Sequence, residues 1–167
     1  MGIINEQTPD YSHYSLEEEK VLLKKALTDH GLRVHDSFYD RIQLGDIIEA
    51  YSYPENKQIY SNSEFRRFSS YTDEQMKNNA FTKLFWRSDE VQNELLKVVS
   101  DMMANAIEPI QFNVENHELV ESLHPRKRTF EMEMGWGAPC FDLKTGVKRA
   151  TVDTLKVKLI FEWDQDL

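Results

Sequence analysis

Cysteine is nearly absent from this chain, and so are long apolar runs, glycine-rich loops and an excess of positive charge. The single cysteine, Cys140, excludes an intrachain disulfide framework and fits a reducing compartment, so the cytoplasm is the expected location. No stretch approaches the roughly 18 uninterrupted apolar residues of a membrane helix. Met1–Glu6 has neither a basic flank followed by an apolar run nor a Ser/Thr where Glu6 stands, so no secretory leader or myristoyl anchor is expected. With 20 basic against 29 acidic residues the formal charge is −9, a surface that a phosphate backbone repels, and nucleic acid is not an expected partner. Glycine occurs 6 times and never as G-x-S-x-G, G-x-x-x-x-G-K-S/T or G-x-G-x-x-G, which removes hydrolase, P-loop and dinucleotide readings.

What is present suffices for one compact domain, since a chain of 167 residues buries roughly 68–70 % of its unfolded surface. Residues 1–14 are polar, carry Pro9 and show no period, and read as a loose arm. Ser15 and Glu18 form a capping box for a helix whose Leu16, Leu22, Leu23, Ala26 and Leu27 share a face before Gly31 ends it. That stripe needs a cover, either a second subunit or the body of the same chain. Asp36 is the expected cap of a short helix holding Phe38 and Ile42. The strongest helix starts at Ser88 and carries Val91, Leu95, Val98, Val99, Met102, Met103 and Ala106 on one side, with Pro109 marking its end. Beyond Pro109 the pattern turns strand-like. Phe130, Met132, Met134 and Trp136 alternate with polar or small residues, as do Leu155, Val157, Leu159, Phe161 and Trp163 with Lys156, Lys158 and Glu162. Glu118–Leu123 fits a strand or a short helix. Helices and strands segregate along the chain, which predicts an α+β fold.

The run from Asp46 to Trp86 is the most distinctive. An apolar strand, Asp46–Tyr53, breaks at Pro54-Glu-Asn-Lys57; Gln58-Ile-Tyr60 follows; Ser61-Asn-Ser63 starts a helix through Phe65 and Phe68; and Thr72-Asp-Glu-Gln75 is a second capping box. This order resembles the opening of a PAS domain, with Ser70 standing where that family has glycine before the tyrosine and Lys57 in place of its turn glycine. The resemblance covers about Phe38 to Trp163. It implies a five-stranded antiparallel sheet with flanking helices, the long helix lying across the sheet, and here an N-terminal helical extension: residues 1–36 as arm and helix, 37–167 as the PAS-like domain.

The same resemblance implies a stand-alone, non-catalytic sensory or adaptor module, signalling through small-ligand binding, protein contacts or both, as a homodimer or with a signalling partner. Phe85, Trp86, Val99, Met102, Met103, Met132, Met134 and Trp136 are the expected pocket, because thioethers and flat indoles from three elements suit a planar apolar guest. Haem is disfavoured because no histidine stands within Val91–Ala106, and flavin photochemistry because nothing after Thr72 resembles the family's Asn-Cys-Arg-Phe-Leu-Gln stretch. No metal site is expected: His117-Glu-Leu-Val-Glu121 lacks the second histidine of a zinc helix. The basic knot Arg126-Lys-Arg128 reads as a solvated turn or a grip for an acidic partner. The rival reading is a small cone-shaped α+β isomerase or dehydratase with Asp153 paired to His117 or His124.

Overall fold

The computed structural model describes residues 14–121 and 126–164, with side-chain surroundings for 14–121 and 128–160. The expected arm, His124 and the side chains of Phe161 and Trp163 lie outside the described residues. Helix α1 (Leu16–Asp29) has the predicted capping box between Ser15 and Glu18, and Gly31 terminates it with a φ of 70°. Strand β1 (Leu32–Val34) leads to a 3₁₀ turn over Asp36–Arg41. His35, not Asp36, caps that turn, its Nδ1 accepting from the Ser37 N–H at 3.2 Å, because a ring nitrogen one position earlier already reaches the free donor.

Strands β2 (Ile47–Ser52) and β3 (Gln58–Ser61) form a hairpin in which Asn56, at a φ of 59°, takes the left-handed turn position. Asn62 caps α2 (Ser63–Phe68) and Thr72 caps α3 (Asp73–Asn78); α4 (Phe81–Leu84) runs directly into β4 (Phe85–Trp86). The long helix α5 (Asp89–Asn105) is capped by Ser88. Then come β5 (Ile110–Gln111), β6 (His117–Glu121), β7 (Arg126–Asp142) and β8 (Lys148–Asp164). The segment that fitted either element type is a strand.

The expected five-stranded antiparallel sheet is present in the order β3-β2-β8-β7-β6, extended by β4 at one edge, while β1 and β5 pair with further stretches of β7. Each face has its own cover. On the outer face α1, β1 and the 3₁₀ turn bring Leu23, Leu27, Val34, Phe38 and Ile42 onto Ile48, Ala50, Cys140 and Val152. The N-terminal stripe is therefore covered by folding back onto the sheet. On the inner face α2 to α4 pack Phe65, Phe68, Tyr71 and Leu84 against Ile47, Phe130, Met132 and Leu155, and α5 adds a third cluster of Met102, Met103 and Phe112. Edge-to-face rings at 5.0–5.2 Å, Phe65 on Phe68 and Tyr71 on Phe85, tie the inner layer together.

Two strand expectations are corrected. The β7 alternation does not run through to Trp136: Met134 pairs with Leu155 but Gly137 with Asp153, so one extra residue sits on β7 and turns Trp136 to the outer face. Glycine on both sides allows this, since a Cβ on Gly135 would lie 2.5 Å from Thr154 Oγ1 and one on Gly137 would enter the Phe112 ring. On β8, Leu155 and Val157 join the inner core, whereas Leu159 is 48 % exposed because β2 ends opposite Leu155 and the ribbon runs on past the layer that would cover it.

Candidate functional site

The inner face is not apolar throughout. Along β2 the inward side chains read Ile47, Glu49, Tyr51, then Tyr53 just past the strand, so a polar stretch separates the two inner apolar clusters. Strand β8 matches it: Asp153 stands directly opposite Glu49, next to Leu155 opposite Ile47. The Glu49 and Asp153 carboxyls lie against each other across the two strands, and Tyr51 donates its hydroxyl to Glu49 Oε2 at 2.6 Å. Gln58 Nε2 donates to the Tyr51 oxygen at 3.4 Å.

Arg87 faces this pair from the connection between β4 and the α5 cap. Its Nε donates to His117 Nε2 at 3.0 Å, Nη2 reaches Met132 Sδ at 3.0 Å, and the guanidinium lies 5.4 Å from the Phe81 ring centre. His117 Nδ1 is 2.9 Å from the Glu115 carbonyl, so the neutral ring carries its hydrogen on Nδ1 and accepts at Nε2. Arg87 Nη1 and Asp153 Oδ1 are buried with no hydrogen-bond partner among the described residues.

The electrostatics follow from burial. Desolvation raises the pKa of both Glu49 and Asp153, Asp153 well above the usual carboxylate range; the Glu49 charge adds to the rise at Asp153, while Arg87 opposes it at both. The two behave as one coupled pair. Desolvation and then its carboxylate neighbour Glu49 push the Tyr51 phenol up. His117 is lowered, mainly by burial and also by Arg87, against the pull of the Glu115 carbonyl.

The predicted pocket residues divide. Phe85 and Met132 belong to one inner cluster; Val99, Met102, Met103 and Met134 belong to the other, with Met134 touching both. Trp86 is 51 % exposed, and Trp136 lies on the outer face under the Arg41 guanidinium at 4.1 Å. Sequence reasoning named Asp153 and His117 only as the rival reading's pair and missed Glu49, Tyr51 and Arg87 beside them. A glutamate and an aspartate at inward positions of two strands were the available signal, but recognising them requires the β2–β8 register.

His117 and Glu121 lie on a strand, not a helix. Glu121, 0 % exposed, accepts from Arg128 Nε at 2.7 Å and from the Ser70 N–H at 2.8 Å, and Arg128 also donates to the Phe68 carbonyl. Arg128 is thus a clamp between sheet and helices, not a solvated turn. Asp153 and His117 make no hydrogen bond to one another; Arg87 faces both. Cys140 is sealed in the outer core, where burial pushes its thiol up to about 12. Among the described residues no group of three or more His, Cys, Asp and Glu is placed to hold a metal ion, and no helix is long and apolar enough to cross a membrane.

No family model and no curated protein matches the chain. Solved structures that resemble it include the fungal blue-light photoreceptor Vivid as a light-state dimer (TM-score 0.46, 11 % identity, 69 % of this chain and 79 % of that one). Vivid in its photo-excited form gives 0.47 and 11 % over 69 % and 80 %, and a fungal LOV domain photoreceptor 0.46 and 10 % over 69 % and 76 %. The element order itself is the stronger finding: a turn-linked strand pair, short capped helices, a long helix across the sheet, and closing strands that pair back with the first. By that order the fold is PAS-like.

Proposed function

We propose that the chain is a non-catalytic sensory module whose input is received at the inner-face cluster of Glu49, Tyr51, Arg87, His117 and Asp153. The observation that carries this is the position of Arg87. A buried guanidinium with a free Nη1 stands immediately before Ser88, the cap of the long helix, while its other nitrogens hold β6 and β7. Anything that changes the partners of Arg87 changes how α5 is seated on the sheet, which is the two-state element a sensor needs. Phe85, Val99, Met102, Met103, Met132 and Met134 flank the cluster and form the apolar part of the proposed ligand-binding region. A signalling partner or a second copy of the chain would read the resulting shift. The homodimer draws no support from the α1 stripe, since Leu23 and Leu27 are used within the chain.

Native mass spectrometry of freshly purified protein, followed by a thermal-shift screen of small polar compounds, tests the ligand-binding form. A compound that raises Tm in the parent but not in Arg87→Met supports it. A parent that retains and binds nothing, with Arg87→Met equally folded and equally active in partner capture, overturns the assignment of input to this cluster.

A further inference from the structure

What the inner-face cluster reads is narrowed by its two carboxyls. Glu49 and Asp153 face each other across adjacent strands, and Asp153 Oδ1 receives no donor from any described side chain or backbone group. Glu49 takes the Tyr51 hydroxyl, but Arg87, the nearby cation, gives its nitrogens to His117 and Met132 instead. Two buried carboxylates in contact, with no donor between them, are held apart by repulsion and desolvation unless a hydrogen is shared. One hydrogen satisfies the bare oxygen and leaves a single negative charge, which Arg87 balances.

We propose, building on the sensory reading above, that the ligand of this site is the proton itself: held between Glu49 and Asp153 it leaves Arg87 on His117 and Met132, and its loss draws the free Nη1 to Asp153 and with it the start of α5. In the step an O–H bond of the pair breaks, the proton passes to water, and the pair goes from one negative charge to two. The cation whose field acts on both carboxyls is Arg87, and it already has an unused donor.

The groups that face the pair are Tyr51 from the Glu49 strand, Gln58 through Tyr51 from β3, and Arg87 from the β4–α5 connection; Cys140, on the other face of the sheet, feels the charge of Asp153. His117, beside the Glu115 carbonyl and in the field of Glu94, faces Arg87 from β6. Protonating His117 removes the Nε2 acceptor and repels the guanidinium, so acid acts on Arg87 by a separate route. The two events are told apart by which residue titrates.

Carbon-13 and nitrogen-15 NMR of the whole protein between pH 5 and 9 decides the matter. The expected result is that the Asp153 carboxyl keeps its protonated shift well above the pH at which a free aspartate ionises. One titration should then move the Glu49 and Asp153 carboxyls, the Arg87 Nε–H signal and the Ser88–Val91 amides together. Asp153→Asn should abolish the Arg87 movement while sparing the His117 titration. An Asp153 carboxyl already ionised at pH 5 overturns the proposal from the parent spectrum alone, whether or not Asp153→Asn folds; Glu49→Gln is the second variant. A carboxyl titration that leaves Arg87 and the α5 amides unmoved overturns it as well. A retained small molecule lost in Arg87→Met, with Asp153 ionised throughout, would remove the proton as ligand and leave the sensory reading standing.

Discussion

Asn62 shows how much one side chain can hold. Its Oδ1 accepts from the Phe65 and Ile48 N–H groups at 3.2 and 3.0 Å, and its Nδ2 donates to the Asp46 carbonyl at 2.9 Å and to Glu19 at 3.3 Å. Helix α2, strand β2 and helix α1 therefore meet at one amide. Asn62→Ala strands buried donors as well as losing a cap, and should cost about 2–4 kcal/mol in a denaturant titration; Asn62→Asp keeps the cap acceptor but sets an oxygen against the Asp46 carbonyl and Glu19 where Nδ2 donated, and should cost at least as much. Residue-scale alternation was legible in β8 only as far as the core extends. Leu155→Ala should cost about 2–5 kcal/mol and Leu159→Ala under about 1 kcal/mol, measured the same way, because 48 % of Leu159 is already in water.

The pH dependence also belongs to single residues, and its sign is fixed by the direction of each shift. Glu49 and Asp153 are raised on folding, so the native state binds the extra proton. Stability is then full below about pH 4, where the unfolded carboxyls are protonated too, and falls as pH rises toward the native values, at up to about 1.4 kcal/mol per pH unit. His117 is lowered, so its contribution is present above about pH 6.5 and is lost as pH falls through the native value. Asp153→Asn should flatten the fall above about pH 4 in urea titrations and leave the His117 acid limb in place. An unchanged fall would mean that the pair titrates normally.

Among elements, the caps of the longer helices and of α3 were readable and the registers were not. Ser15, Thr72 and Ser88 all start helices where their spacing predicts, because a cap is a contact between near neighbours. The β7 bulge depends on Thr154 and Phe112, which lie on other elements, so period two alone misplaced Trp136. Gly137→Ala should cost about 1–3 kcal/mol by driving a methyl into Phe112; combining it with Phe112→Leu should recover part of that loss, whereas simple additivity would show that the bulge has another cause. Helix α1 is the cover of Cys140. Thiol labelling of Cys140 should track global unfolding in the parent and become fast on removal of residues up to His30, since Leu23 and Leu27 then no longer seal the outer face. Slow labelling after that removal would show that the sheet protects the thiol by itself.

At the scale of the whole molecule, the overhang of β7 and β8 exposes two neighbouring apolar side chains, Leu159 at 48 % and Ile160 at 45 %. Past Leu155 the free side of β8 has no strand partner among the described residues, yet Phe130 pairs with Leu159 and Thr129 with Phe161, so a bulge at Ile160 and flanking lysines blunt that edge. Ile160→Lys should leave Tm within about 1 °C while lowering any self-association seen by light scattering, as expected for a surface substitution; a large fall in Tm would place Ile160 in a core. The segregation of helices and strands was visible in the sequence because it is a local pattern. The inner-face site was visible only as the pair Asp153 and His117, because its other members come from β2 and from the connection between β4 and α5.

The pairing of β2 with β8 also governs when the protein can form. Ile47 must find Leu155, about a hundred residues later in the chain, whereas β7 and β8 are joined by the short turn at Asp142–Gly146 and can zip from it. A ribosome adding about 5–20 residues per second therefore delivers Ile47, Ile48 and Ala50 several seconds before the strand that shelters them exists. During that interval β2 has β3 alone as a strand neighbour, with α1 near at hand. The nascent N-terminal half should accordingly recruit holdase chaperones until the final hairpin emerges, and arrest peptides placed before and after β8 would register the moment of release as a single late pulling event.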